Sequence, residues 1–213
     1  MIIALTGGPC GGKTTAIEFL KKELEGKGVA VRVVPEIASL LADMGFHPAT
    51  ECRRSPDSRY NYHRMMFDTQ IALEDFARRT SNIEKKPTVI VCDRGAMDLK
   101  SYSDQFSRIL TSAQTTELEV LQRYDRVYHL TSTAVDKPGI YQRTSNVHRH
   151  ESVETSAWRD QDLRRAWAGH RCGKTLDNRG SMEDKCAILL ADITAAMGIK
   201  TPSLPAVRHS PEL

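Results

Sequence analysis

What this 213-residue chain lacks narrows its class before any motif is read. Cysteines are few, odd in number and widely separated, as Cys10, Cys52, Cys92, Cys172 and Cys186, with no pair at metal-ligand spacing. That pattern excludes a disulfide scaffold or zinc module and fits a reducing compartment. No apolar run approaches the roughly 20 residues that a membrane-crossing helix needs. The amino terminus also lacks the signal-peptide order of basic segment, apolar segment and small-residue cleavage site. The expected location is the cytoplasm, and no membrane insertion is expected. Charge of one sign is scarce as well: 30 Lys and Arg stand against 27 Asp and Glu, a net charge of +3. So mild a bias does not call for nucleic acid, whereas a phosphorylated small molecule suffices as partner. Internal repeats and low-complexity tracts are absent.

What is present can bury one substantial core, since 40 % of the residues are hydrophobic and the length favours one domain carrying a small lid. Short apolar runs alternate with longer amphipathic ones, a pattern that predicts an α/β fold with a parallel sheet and helices on both faces. Strands are expected over 2–6, 29–35, 88–93, 126–131 and 172–177, each apolar enough to be buried on both faces. Helices are expected over 13–25, 37–43, 59–80, 95–105, 115–123, 153–169 and 182–197. The proline-bearing stretch 48–58 reads as an exposed loop. The long polar stretch 132–151, containing Pro138-Gly139, reads as a lid over a ligand, and with the helix after it the lid spans about 132–169. Residues 1–199 form the expected domain, and 200–213, with three prolines, a disordered tail.

Gly7-Gly8-Pro9-Cys10-Gly11-Gly12-Lys13-Thr14 satisfies G-x-x-x-x-G-K-[ST] at every fixed position, with an apolar run before it and an amphipathic run after it. Glycines let the backbone curl so that successive N–H groups face phosphate oxygens, and the helix amino terminus adds a favourable dipole. The pattern therefore predicts a phosphate-binding loop for ATP or GTP. Gly8, Pro9, Cys10, Gly11, Gly12, Lys13, Thr14 and Thr15 would contact the nucleotide, Lys13 neutralising the β- and γ-phosphates and the Thr14 hydroxyl entering the Mg²⁺ sphere. Cys10 is read as filling a variable loop position.

In a doubly wound sheet, ligand groups gather beyond the carboxyl ends of the strands. Asp93 ends the run Val89-Ile90-Val91-Cys92 as a Walker-B aspartate would, holding Mg²⁺, although an aspartate there also suits a helix N-cap. Glu36 ends the second strand. It either positions or deprotonates an acceptor hydroxyl, or is simply an acid in a helix's first turn. Arg94 can reach the transferred phosphate or pair with an acid. Arg143 and Arg149 in the lid are candidates to close over the transferred group, while Arg159, Arg164 and Arg165 read as a solvated basic face. Arg53, Arg54, Arg59 and Arg64 form a second basic group. His148 and His150 lack a third ligand at metal spacing and read as lid surface. Trp158 and Trp167 would pack the lid helix on the body or stack on a base. Asp177 and Asn178, ending the last strand, would meet the nucleobase edge or merely form a turn.

Taken in order, Thr6 to Thr15, Val33-Val34-Pro35-Glu36, Asp93-Arg94-Gly95, Asn146 with Arg149 and Glu151, and Leu176-Asp177-Asn178 span nearly the whole chain. In this combination the sequence resembles the NadR/Ttd14-like AAA-domain family of P-loop proteins, related to the nucleoside and nucleotide kinases. The resemblance implies a five-stranded kinase-type sheet in the order 2-3-1-4-5 with a lid after strand four, and Arg149 as the principal lid arginine. Acid, lid and loop together point to an ATP- or GTP-dependent kinase transferring the γ-phosphoryl group to a small hydroxyl- or phosphate-bearing acceptor. The alternative is a regulatory ATP- or GTP-binding protein that presents a nucleotide-ordered surface to a protein partner. An oligomeric ATPase motor is disfavoured because Arg94, not an acid, follows Asp93.

Overall fold

Five short strands, β1 (Ile2–Thr6), β2 (Ala30–Val34), β3 (Thr88–Asp93), β4 (Arg126–Leu130) and β5 (Gly173–Leu176), pair side by side and all in parallel. Their order is β2-β3-β1-β4-β5, as the family resemblance implies. These features belong to a computed structural model that describes residues 1–137 and 152–199.

Alternate side chains of each strand point to opposite faces, and the inner strands split the core accordingly. Ile2, Ala4, Ile90, Cys92 and Val127 pack on one face against Phe67, Met97, Ile109, Tyr124 and Trp167. Ile3, Leu5, Val89, Val91, Tyr128 and Leu130 pack on the other. There they meet Ala16, Leu20 and Leu24 of α1 (Lys13–Glu25) and Cys186, Leu189 and Ile193 of the carboxyl-terminal helix. Each buried leucine or isoleucine stabilises the fold by about 2 kcal/mol.

The remaining helices follow the chain as α2 (Ile37–Asp43), α3 (Pro48–Arg54), α4 (Pro56–Glu84), α5 (Phe106–Ser112), α6 (Glu117–Gln122), α7 (Thr133–Asp136), α8 (Val153–Ala166) and α9 (Met182–Ala196). A 3-10 segment, Ala96–Ser101, follows β3.

Three expectations need correction. The stretch 48–58 is exposed but helical: Pro48 and Pro56 each sit in the first turn of a helix, where a missing N–H costs nothing, and Ser55 Oγ caps α4 by accepting from Ser58 N at 3.0 Å. Residues 95–105 are not one helix, because Asp98 turns back to accept from Gly95 N at 2.8 Å and draws the chain into the tighter 3-10 form, after which α5 begins afresh. Burial on both faces holds for β1 but fails for β2 and β5, which are the sheet edges; Gly173, Lys174 and Thr175 are exposed. The expected tail, together with Arg143, Asn146, His148, Arg149, His150 and Glu151, lies outside the described residues.

Candidate active site

Parallel pairing sets Leu5 beside Asp93 and beside Tyr128, so β1 gives way to the glycine-rich loop at the level where β3 and β4 end. The loop rests on the carboxyl end of β4. A Cβ at Gly7 or Gly11 would run into the Leu130 carbonyl, so no side chain fits at either position, and Gly7 also holds φ at 121°. Gly12 is the N-cap of α1 and offers no side-chain cap, and no acid stands in the first turn. The amino-terminal amides of α1 therefore keep their donors for an anion. Thr14 and Thr15 stand exposed in that turn. Lys13 Nζ folds back on the loop, donating to the carbonyls of Gly7 at 2.9 Å and Gly8 at 3.1 Å. Burial, with Arg94 adding repulsion, lowers its pKa to about 8 against the pull of Asp93, Glu36 and Asp98.

Asp93 is not a helix N-cap. The 3-10 segment after it is capped at Gly95 by Asp98, and Asp93 Oδ1 is buried without a hydrogen-bond partner. Burial raises its pKa, with Lys13 and Arg94 opposing. An orphaned carboxylate oxygen beside a phosphate loop fits a Mg²⁺ ligand, with Thr14 as the second protein donor. Groups of three or more His, Cys, Asp or Glu able to cage a metal are absent among the described residues. That suits Mg²⁺, which takes one or two protein oxygens and completes its shell with phosphates and water.

Glu36 lies at the start of α2 and pairs with Arg94, Oε1 to Nε at 2.6 Å, while Arg94 also donates to the Gly7 carbonyl at 3.2 Å. Burial alone would raise the Glu36 pKa. The Arg94 charge and hydrogen bond, with Lys13 and Ser39, outweigh it and hold the group at about 2. Arg94 is thus an inward arginine, charged at any working pH. Lys13, Asp93, Glu36 and Arg94 form one electrostatic cluster at the carboxyl end of the sheet, each acting on the others.

Several side chains that hold this cluster escaped the sequence reading. Asp98 accepts from Thr6 Oγ, Gly95 N and Trp167 Nε1, locking the turn after β3 onto β1 and α8. Its signal was the three-residue spacing from Gly95, that of a capping box. Glu74, fully buried on α4, accepts from Tyr124 Oη at 2.5 Å and Arg123 Nε at 2.9 Å, and Tyr124 Oη accepts from Ala96 N. Gln70 donates to the Arg94 carbonyl at 3.3 Å. Asp160 engages Gly8 N from α8. None of these three has a local pattern.

Other candidates are placed differently from their simplest readings. Asn178 is buried, its amide donating to the carbonyls of Thr131 and Ser132 and to Asp136, and its Oδ1 accepting from Lys185. Asp177 is held by Arg179 at 2.6 Å. Arg159 is not on a solvated face: its guanidinium lies 4.4 Å from the Tyr102 ring centroid and donates to the Ser101 carbonyl. Trp167 is buried against the turn after β3, whereas Trp158 is exposed. Arg54, Arg59 and Arg64 pair on the surface with Glu51, Asp104 and Asp68.

The profile of the AAA domain family matches residues 2–185, which takes in the loop, Glu36, Asp93 and the whole sheet. The chain belongs to the AAA domain family. As an AAA domain it is a P-loop nucleotide-binding module, here with the kinase-type strand order. Its fold is similar to that of shikimate kinase from Aquifex aeolicus, with a TM-score of 0.47 and 12 % identity over 93 % of this chain and 99 % of that one. No curated protein sequence matches this AAA domain. Among its described residues, no helix is long and apolar enough to cross a membrane.

Proposed function

We propose that this AAA domain is a phosphotransferase of the NadR/Ttd14-like group, moving the γ-phosphoryl group of ATP or GTP onto a small-molecule acceptor in the cytoplasm. The observation that carries this reading is the Glu36–Arg94 pair, which sets a carboxylate and a guanidinium beside the Gly7 carbonyl, next to Lys13. Phosphoryl transfer uses both an acceptor-orienting group and positive charge to meet the transferred oxygens, and the pair supplies a carboxylate and a guanidinium at that spot.

Roles follow from chemistry. Lys13 and the amides opening α1 hold the phosphate chain. Thr14 and Asp93 would hold Mg²⁺, which neutralises charge on the phosphates when bound. Glu36, ionised and paired, is too weak a base to take a proton early, so it orients the acceptor hydroxyl as a hydrogen-bond acceptor. Arg94 meets the developing charge on the transferred group. Arg143 and Arg149 are assigned the same task from the other side, and Asp177 the nucleobase end.

The test is a panel of nucleosides, nucleotides and vitamins incubated with purified protein, Mg²⁺ and either ATP or GTP. Acceptor-dependent release of diphosphate is expected. Tight triphosphate binding without acceptor-dependent turnover anywhere in the panel would replace this reading by the regulatory one.

A further inference from the structure

The phosphate loop is held from behind by a carboxylate that the proposed chemistry does not call for. Asp160 lies on α8, is 3 % exposed, and touches a loop 152 positions away in sequence. Its Oδ1 accepts from Gly8 N at 2.7 Å and from Ser132 N at 2.9 Å, and its Oδ2 stands 3.0 Å from His129 Nε2. Ser132 Oγ in turn donates to the Pro9 carbonyl. Burial would raise the Asp160 pKa, but the His129 bond and the two amides outweigh it and keep the carboxylate ionised. An ionised carboxylate only accepts, so His129 donates through Nε2.

The same residue explains a glycine that the loop motif leaves open. A Cβ at Gly8 would come within 3.0 Å of Asp160 Cβ and Oδ1 and of Ser132 Cβ. A side chain there would press on both residues and force them to give by a few tenths of an ångström, loosening the bond. The Gly8 amide is therefore already spent, although the motif would count it among the phosphate donors.

We propose that Asp160 is a positioning residue for the phosphate loop: it withdraws the Gly8 amide from the anion cradle and pins the first turn of the loop to the end of β4. The donors opening α1 are thereby left at fixed places for the ligand. The inference rests on the reading that this loop holds a triphosphate.

The test is backbone amide NMR of the full chain titrated with Mg²⁺ and ATP or GTP, together with calorimetry on Asp160→Ala and Asp160→Asn. In the unaltered protein the Gly8 and Ser132 amide resonances should stay in place while those of Gly11, Gly12, Lys13 and Thr14 shift. Asp160→Ala should weaken triphosphate affinity about tenfold. Asp160→Asn keeps an acceptor oxygen for both amides, with its own amide facing a flipped His129 tautomer, and should remain within about threefold. Movement of the Gly8 resonance as large as that of Gly11 overturns the proposal, as does a folded Asp160→Ala variant that binds like the parent. Should Asp160→Ala fail to fold, the titration of the unaltered chain decides. An unaltered protein that binds neither triphosphate sinks the proposed function itself, whereas binding accompanied by a shifted Gly8 amide sinks only this inference.

Discussion

Glu36 Oε1 and Arg94 Nε stand 2.6 Å apart, and the contact joins the end of β2 to the turn after β3 across the flank of the phosphate loop. Arg94 adopts φ 73°, a left-handed conformation that costs a non-glycine residue about 1 kcal/mol or more. It persists because its N–H donates to the Leu5 carbonyl, its own carbonyl accepts from Gln70, and its guanidinium is paired. The Glu36–Arg94 bond is therefore both an electrostatic clamp and one of the three bonds that hold an arginine in that turn.

Glu36→Gln should remove this clamp. The Glu36 pKa drops from 4.5 unfolded to about 2 folded, a linkage on the order of 3 kcal/mol. A lowered carboxylate pKa stabilises the fold fully above pH 4.5 and loses that contribution as pH falls toward 2. Urea unfolding should show the variant about 2–3 kcal/mol less stable at pH 7, with the gap narrowing steadily below pH 4.5. A gap that is flat from pH 7 to pH 3.5 would refute the clamp.

Asp93 presents the opposite balance, a buried carboxylate whose Oδ1 is unpartnered and whose pKa is raised. Its charge costs the ligand-free fold, and in the proposed function it serves a bound cation. Asp93→Asn should raise the thermal midpoint of the free protein by a few degrees, about 1 kcal/mol. It should also abolish the gain in nucleotide affinity that Mg²⁺ gives. A variant that is less stable and still Mg²⁺-dependent would show that Asp93 is a structural acid.

Much of this was legible in the residues, for a physical reason: period and local motif report on contacts that are close in sequence. Buried strands such as Val89-Ile90-Val91-Cys92, and the step from strand to glycine-rich loop to helix, are local patterns. The sheet order was not readable from periodicity and came from the family resemblance. Edge burial was misjudged because the strand order that makes β5 an edge is not a local pattern, although Lys174 and Thr175 are themselves polar. The helix at 48–54 and the first residues of the helix at 56–84, which was expected from residue 59, were hidden because proline signals both a loop and a helix start, and only the Ser55 cap separates the two. Asp160 and Glu74 were invisible for a deeper reason, since their partners Gly8 and Tyr124 lie 152 and 50 positions away. Buried polar anchors carry no period of their own.

The bed of the loop makes a steric prediction. A methyl group at Gly11 would collide with the backbone carbonyl of Leu130, which belongs to a central strand and cannot swing aside. Gly11→Ala should cost about 2–3 kcal/mol in chemical denaturation and lower triphosphate affinity by at least tenfold. Gly28→Ala is the control: nothing lies within 4 Å of its Cβ, so only its φ of 76° is strained and the cost should be about 1 kcal/mol with binding unaffected. A cost at Gly11 no larger than at Gly28 would mean that the Leu130 carbonyl does not constrain the loop.

Lys13 should write its pKa into binding. In the free protein burial and Arg94 bring it down to about 8, well below its unfolded value of 10.5. Between pH 8 and 10.5 the unfolded chain holds the extra proton, so this group opposes folding below pH 8 and the penalty is relieved as pH rises through that window. Nucleotide reverses the preference, because phosphate oxygens in place of the Gly7 and Gly8 carbonyls favour the charged ammonium. Binding must then take up a proton above pH 8. Calorimetry with a triphosphate and Mg²⁺ in buffers of different ionisation enthalpy should show little proton uptake at pH 7, approaching one proton per site near pH 9.5. Affinity should fall over the same range by up to about tenfold per pH unit. Lys13→Arg, which stays protonated throughout, should lose that slope even where its bulk weakens binding at every pH. A parent protein whose affinity is level from pH 7 to 9.5 would mean that Lys13 carries its charge regardless of burial, and that the low-dielectric pocket inferred around the loop does not exist.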